Sequence, residues 1–160
     1  MKIPRTSPTL EDIFGLIDRD QLSIVVFGHL VIESILTQLI ELSLDRPDES
    51  DSIRLTSWQK ASLCYAQGAI DKRLYSFLSD LNKLRNKFAH RLGFHLNFDQ
   101  AFDLAKKAGK AGIDFSDDLD TNREIAASIG TDAVVCAVIS NTAMHLSFVL
   151  LDNGGKFLFV

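Results

Sequence analysis

The sequence predicts an all-α fold, a single helical bundle of long helices with short extra ones between them. Three observations lead there. Apolar residues recur at helical spacing along most of the chain, helix-capping residues stand at the breaks, and two segments, 22–44 and 131–151, are apolar around most of their circumference. A chain of 160 residues can bury about two-thirds of the surface its unfolded form exposes, so one domain over residues 1–160 is expected, with no cofactor or disulfide needed to hold it.

Thr9 followed by Asp12 makes an acidic variant of a capping box, and Leu10, Ile13, Phe14 and Ile17 fall on one stripe, so a short first helix should end near Asp18–Asp20. From Leu22 to Leu44 the residues Val25, Val26, Leu30, Ile32, Ile35, Leu36, Leu39 and Ile40 surround the axis, the pattern of a central spine. Proline and acids over residues 45–52 then read as a solvated loop. A helix over Trp58–Ala69 follows, with Thr56 or Ser57 as N-cap and a tight connection at Gly68–Ile70, after which Asp71 caps the next helix. Asn97 or Asp99 starts another, with Phe98, Ala101, Phe102 and Ala105 on one side and Gly109 closing it.

Asp114, Asp117, Asp118 and Asp120 lack the central glycine and terminal glutamate of an EF-hand loop and read as a solvated connection. A short helix near Asn122–Ile129 and a long apolar one over Thr131–Leu151 complete the bundle; Gly154-Gly155 ends it, and residues 156–160 form an extended tail expected to dock or pair locally. Ala133–Leu151 holds no charged residue and approaches the length that spans a bilayer. Ser140, Asn141, Thr142, His145 and Ser147 interrupt it, however, and a helix buried in a bundle is the expectation.

Lys+Arg number 17 against 21 Asp+Glu, a net charge of −4 that excludes a general attraction to nucleic acid or anionic lipid; any such attraction must be local. Cys64 and Cys136 stand outside any CxxC or Cys/His ligand pattern and are expected as buried small hydrophobes. Met1–Pro8 carries two basic residues with no apolar run behind them, so no signal peptide, a cytoplasmic address and no membrane partner are expected. There is no internal repeat, phosphate-loop glycine pattern or nucleophile elbow.

The most informative segment lies on the helix that Asp71 caps. At about 100° per residue, Leu74, Leu78, Leu81, Phe88 and Leu92 share one stripe, and Arg85 falls in its middle. A guanidinium there must meet a carboxylate, contact an anion or sit at an interface. Its partner on a purely structural reading would be Glu33 from the spine. His90 points about 140° away from Arg85 on an unbroken helix, whereas Asn86 is one turn before His90 and on nearly the same face. Arg85 and His90 therefore share a site only if the helix distorts before Gly93 or a second copy contributes its own motif. Residues 83–91 contain Lys83, Arg85, Lys87, Arg91 and His90 without an acid, which is either a basic patch or a helix end whose cations complement the dipole.

Leu84-Arg85-Asn86-Lys87-Phe88-Ala89-His90 resembles the Arg-x4–6-His motif of HEPN domains. Over residues 22–100 the order of elements is similar to the mannitol operon repressor family, an HEPN-like group: Gly28-His29-Leu30-Val31-Ile32-Glu33, then Trp58-Gln59-Lys60, then Leu63 to Asp71, then Arg85 with His90. The HEPN resemblance implies metal-independent RNA cleavage by a homodimer of toxin or defence type. His90 would be the acid/base group, Arg85 the phosphate-binding cation, Asn86 the residue that holds the histidine or a phosphate oxygen, and Lys83, Lys87 and Arg91 the RNA-binding cations. The repressor-like resemblance implies instead a non-catalytic regulatory or interaction module with a regulatory protein as partner, whereas an antitoxin partner goes with the toxin reading. Neither implies a cofactor or a metal.

The remaining candidates have plainer readings. His29 and Glu33, one turn apart, make an incomplete metal site and are expected as satisfied polar groups in the core. His95 either extends the patch or sits in the loop after Gly93; His145 is expected to make a buried hydrogen bond, and Trp58 and Tyr65 to be core residues.

Overall fold

A computed structural model describes residues 20–47 and 54–158, together with Ser7, Thr9 and Glu11. The first helix expected over Thr9–Asp18 and most of the loop at 45–52 lie outside the described residues. Those residues form six helices and no strand: α1 Gln21–Leu42, α2 Ser57–Ala66, α3 Lys72–His90, α4 Phe98–Lys110, α5 Arg123–Ile129 and α6 Thr131–Asp152. The fold is an all-α bundle.

Short polar side chains start α1 to α5, because each satisfies a backbone N–H that the first turn leaves without a partner, whereas α6 starts at Gly130 with no side-chain cap. Asp20, Asp71 and Asn122 accept from the backbone of Ser23, Leu74 and both Glu124 and Ile125 respectively. Thr56 and Asn97 are the caps of α2 and α4, each completing a reciprocal box with Gln59 or Gln100. Gly109 does not close α4, which runs on to Lys110. It is glycine for another reason: a Cβ there would stand 2.8 Å from Cγ of Asp120, so the acidic loop folds directly onto the helix at this point.

The spine expectation holds. α1 is buried on several sides, with Ile24, Val25, Ile32, Ile35, Leu36 and Leu39 among its core residues, and it packs on α6 most extensively and also on α3 and α2. Gly28 sets the α1–α6 spacing, because Ile139 of α6 occupies the place where a Cβ would stand. The two helices run in the same direction: Gln21 donates to Asp132 at 2.6 Å near their starts, and Leu42 and Leu150 both approach Gly155 near their ends. α3 runs the other way, its C-terminal residues bordering the start of α1.

Two buried glutamines of α1 fasten the connections. The Gln21 amide donates to the Leu96 carbonyl (3.1 Å) and accepts from its N–H (2.7 Å), while Gln38 makes the same pair of bonds with Leu158 (2.8 and 3.0 Å). The tail therefore docks as expected, with Phe157 buried beside it.

α1 and α6 are both long and apolar enough to cross a membrane by length and composition, a test that the core helix of a soluble protein also passes. The polar interruptions of α6 do not discriminate, because Asn141, Thr142 and Ser147 each donate to a carbonyl of their own helix, at 2.8, 2.6 and 2.7 Å. His145 departs from expectation: it is half-buried and has no hydrogen-bond partner among the described residues. Cys64 is fully buried against the Leu36 carbonyl, and burial pushes its thiol up to about 11; Cys136 is only half-buried.

Gly28→Ala separates packing from helix propensity. Alanine favours an exposed helix by about 0.8–1 kcal/mol over glycine, yet here its methyl group displaces Ile139. The expected outcome in urea unfolding is a net loss of about 1–3 kcal/mol, the usual cost of overpacking; a gain would mean that the α1–α6 contact is slack.

Candidate functional site

The buried face of α3 consists of Leu74, Phe77, Leu78, Leu81, Leu84 and Phe88. Phe77 and Leu84 move its centre to one side of the expected stripe, so Arg85 is half-buried at the flank rather than in the middle. Leu92 leaves the stripe altogether and is fully exposed, because α3 stops at His90 and Gly93 turns the chain at φ 74°. Phe94 folds back edge-on against Phe88, ring centres 4.9 Å apart, and holds this turn against the bundle.

α3 runs without a break through His90, so Arg85 and His90 of one chain point apart by about 140°. Arg85 donates to the Asn86 side chain at 3.2 Å. Asn86 is thus engaged with Arg85 and makes no bond to His90. Lys83 forms an exposed pair with Asp80 at 3.5 Å, whereas Lys87 and Arg91 are exposed and have no acidic partner among the described residues.

His90 opens onto a depression of about 870 Å³ at the junction of α3, the following turn and the starts of α1 and α6. Arg91 and His95 line it too. His95 is exposed, and its Nδ1 lies 3.0 Å from the Gly93 carbonyl and donates to it when protonated. The two acids of the depression are structurally engaged: Asp20 caps α1, and Asp132 accepts from Gln21. Arg85 is not part of this depression.

A second polar cluster lies between α1, α2 and α3. Glu33 accepts from Ser57 Oγ at 2.6 Å and Lys60 Nζ at 2.7 Å, so the Arg85–Glu33 pair anticipated from the sequence is not formed. Burial raises the Glu33 carboxyl, but the hydrogen bonds from Lys60 and Ser57 outweigh it and hold the group below its ordinary value. His29 stands one turn before Glu33 and is only 6 % exposed, and its Nε2 has no partner. The expectation that this histidine is satisfied fails. It borders a crevice of about 10 Å³ with Glu33, Ser57, Trp58, Ser79 and Asn82, space for about one water.

Trp58 at the rim and Tyr65, stacked on Tyr75 at 5.0 Å, are both exposed, against the expectation of core positions. α2 lies at the margin of the bundle and buries only Ala61 and Cys64, and its composition gave no sign of this. The His29 cluster did have a sequence signal: a histidine and a glutamate one turn apart on a helix otherwise built of apolar residues. Among the described residues no group of three or more metal-ligating side chains is present. No protein-family model, curated protein or solved structure matches this chain.

Burial lowers the pKa of His29; Glu33 opposes that effect, while the charges of Arg85 and Lys60 reinforce it. Its folded pKa is below the ordinary histidine value of about 6.5, so the unfolded chain binds the proton more readily as pH falls through that range. The contribution to stability is complete above 6.5 and is lost on acidification toward the depressed folded value. Urea midpoints measured between about pH 7.5 and 5.5 should fall with pH, and His29→Leu should flatten that fall; an equal slope in the variant would assign it to other groups.

Proposed function

We propose that this chain is an HEPN-like, RNA-directed protein that acts as a homodimer and cleaves single-stranded RNA without a metal. The observation that carries this reading is the open depression where His90, Arg91 and His95 meet, its two acids already engaged elsewhere. Strand cleavage through the ribose needs a base to take the 2′-OH proton, a cation for the phosphate as the 2′ oxygen attacks phosphorus, and an acid for the departing 5′ oxygen. His90 and His95 supply two imidazoles and Arg91 a guanidinium within one chain. Lys87, one turn before Arg91 on α3, attracts the RNA backbone, and Arg85 enters such a site only from a second copy.

A second reading has its own observation. The Arg85–Asn86 bond and the unbroken α3 serve equally a non-catalytic regulatory or interaction module, in which the basic end of α3 meets a regulatory protein partner.

Cleavage of single-stranded RNA in EDTA decides between them. His90→Ala should lower the rate by about 10²–10⁴-fold with an unchanged circular dichroism spectrum, the loss expected for a positioned acid/base group. Lys87→Glu with Arg91→Glu should weaken RNA binding and flatten its salt dependence. Wild-type protein that cuts no RNA between about pH 5 and 8 would leave the regulatory reading in place.

A further inference from the structure

α6 has two apolar sides. One, with Val135, Ile139, Leu146 and Leu150, is buried against the bundle. Diametrically opposite it, Ala137, Asn141, Met144, Phe148 and Leu151 form a second stripe, half-buried over Ala137, Asn141 and Met144 and open at its C-terminal end, where Phe148 is 56 % and Leu151 58 % exposed. The intervals of this stripe alternate four, three, four, three, the spacing of a coiled-coil seam, with Asn141 and Phe148 at the a positions and Ala137, Met144 and Leu151 at the d positions.

We infer that α6 is a dimerisation helix whose open seam packs in parallel register on the same seam of a second copy, Asn141 against Asn141. The proposal rests on the preceding reading only for the expectation of a dimer, and the surface stands whether or not the chain cuts RNA.

Three features favour a second copy as the occupant. Ala133–Leu151 holds no charge and the seam is flanked by Ser140, Ser147 and His145, so two chains of net charge −4 meet there without opposing acids. Asn141 donates to Ala137 at 2.8 Å through its amide nitrogen, and its Oδ1 has no partner among the described residues; an asparagine at an a position finds its match in the same residue of a parallel partner and fixes the register. The sequence stripe Leu10 to Ile17 would cover only about 12 Å if helical, at 1.5 Å per residue, against about 22 Å for Ala137–Leu151.

Register has a functional consequence. Asp132, at the start of α6, borders the depression that holds His90. A parallel pair therefore places both depressions at the same end of the dimer, whereas an antiparallel pair sends them to opposite ends.

Sedimentation equilibrium of the full chain should give a dimer at tens of micromolar, and Met144→Glu with Phe148→Glu should weaken association by about 30-fold or more, the cost of losing an interface anchor. The same variant should keep the wild-type helical content, since both side chains face away from the bundle. Leu151→Cys should cross-link to itself on oxidation while the wild type does not, because an antiparallel seam centred on Asn141 and Met144 would hold the two thiols about 25 Å apart. A monomer at about 100 µM, or a dimer indifferent to the two glutamates, overturns the proposal. So does a dimer in which Leu151→Cys fails to cross-link. Binding of the wild type to phosphatidylcholine vesicles, lost in the double variant, would assign the face to a lipid surface instead. Loss of RNA cleavage with this dimer intact would remove the previous section's reading and leave this one.

Discussion

The bundle depends on how closely α1 and α6 approach each other at Gly28. With no side chain at that position, Ile139 packs onto the α1 backbone itself, and the two longest helices share one interior. A helix that is apolar around most of its circumference must still cover its remaining sides. α3 and α2 do that for α1, which fixes where the end of α3 can lie. The two glutamine clamps follow from the same constraint: connections that cross a helix with no free polar face need a side-chain amide to satisfy their peptide groups, and Gln21 and Gln38 provide one at each end.

Polar groups between α1, α2 and α3 are arranged less evenly. Glu33 receives both a cation and a hydroxyl, so its charge is compensated at close range. His29 receives nothing on Nε2, and its pKa is lowered because burial and two nearby cations outweigh the attraction of Glu33. An unfilled buried nitrogen costs about 1–3 kcal/mol unless a water fills it, and the adjoining crevice has room for about one. Arg85 contributes here through its charge, a role quite different from binding phosphate at the exposed end of the same helix. One helix thus presents Arg85 toward a structural cluster and His90 toward solvent.

Local chemistry was legible in the sequence and neighbourhood was not. Caps such as Asp71, and the choice between Thr56 and Ser57 or between Asn97 and Asp99, depend on atoms within one turn, and the residue types narrowed them to one or two positions. The spine was legible because its apolar residues occupy nearly every direction. Gly109 was misread because a glycine that ends a helix and one that admits a neighbouring carboxylate look identical in sequence. Leu92 continued a periodic stripe past the residue where the helix stops, since periodicity carries no terminus of its own. Trp58 and Tyr65 were assigned to the core on residue type alone, although α2 turns out to sit at the margin. At the candidate site, the 140° separation of Arg85 and His90 followed from the wheel. The meeting of His90 with His95 and Arg91 required the turn at Gly93, whose shape Phe94 decides by packing on Phe88.

The hydroxyl and amide groups of α6 illustrate why composition was a poor guide to surroundings. Thr142, Asn141 and Ser147 each donate to a carbonyl one turn earlier or less, so their donor groups need nothing from a neighbouring helix, from water or from lipid headgroups. A polar residue that satisfies itself is compatible with any environment, and its presence excludes none. What does constrain the surroundings is the pair of opposed apolar stripes. A helix needs one such stripe to join its own bundle, and the one left open is a property of the surface. In this chain that surface is uncharged, while Lys87 and Arg91, two exposed cations with no acidic partner among the described residues, stand at the end of α3. The molecule therefore separates an apolar flank from a basic end, and a partner bound along the first leaves the second free to meet a different molecule.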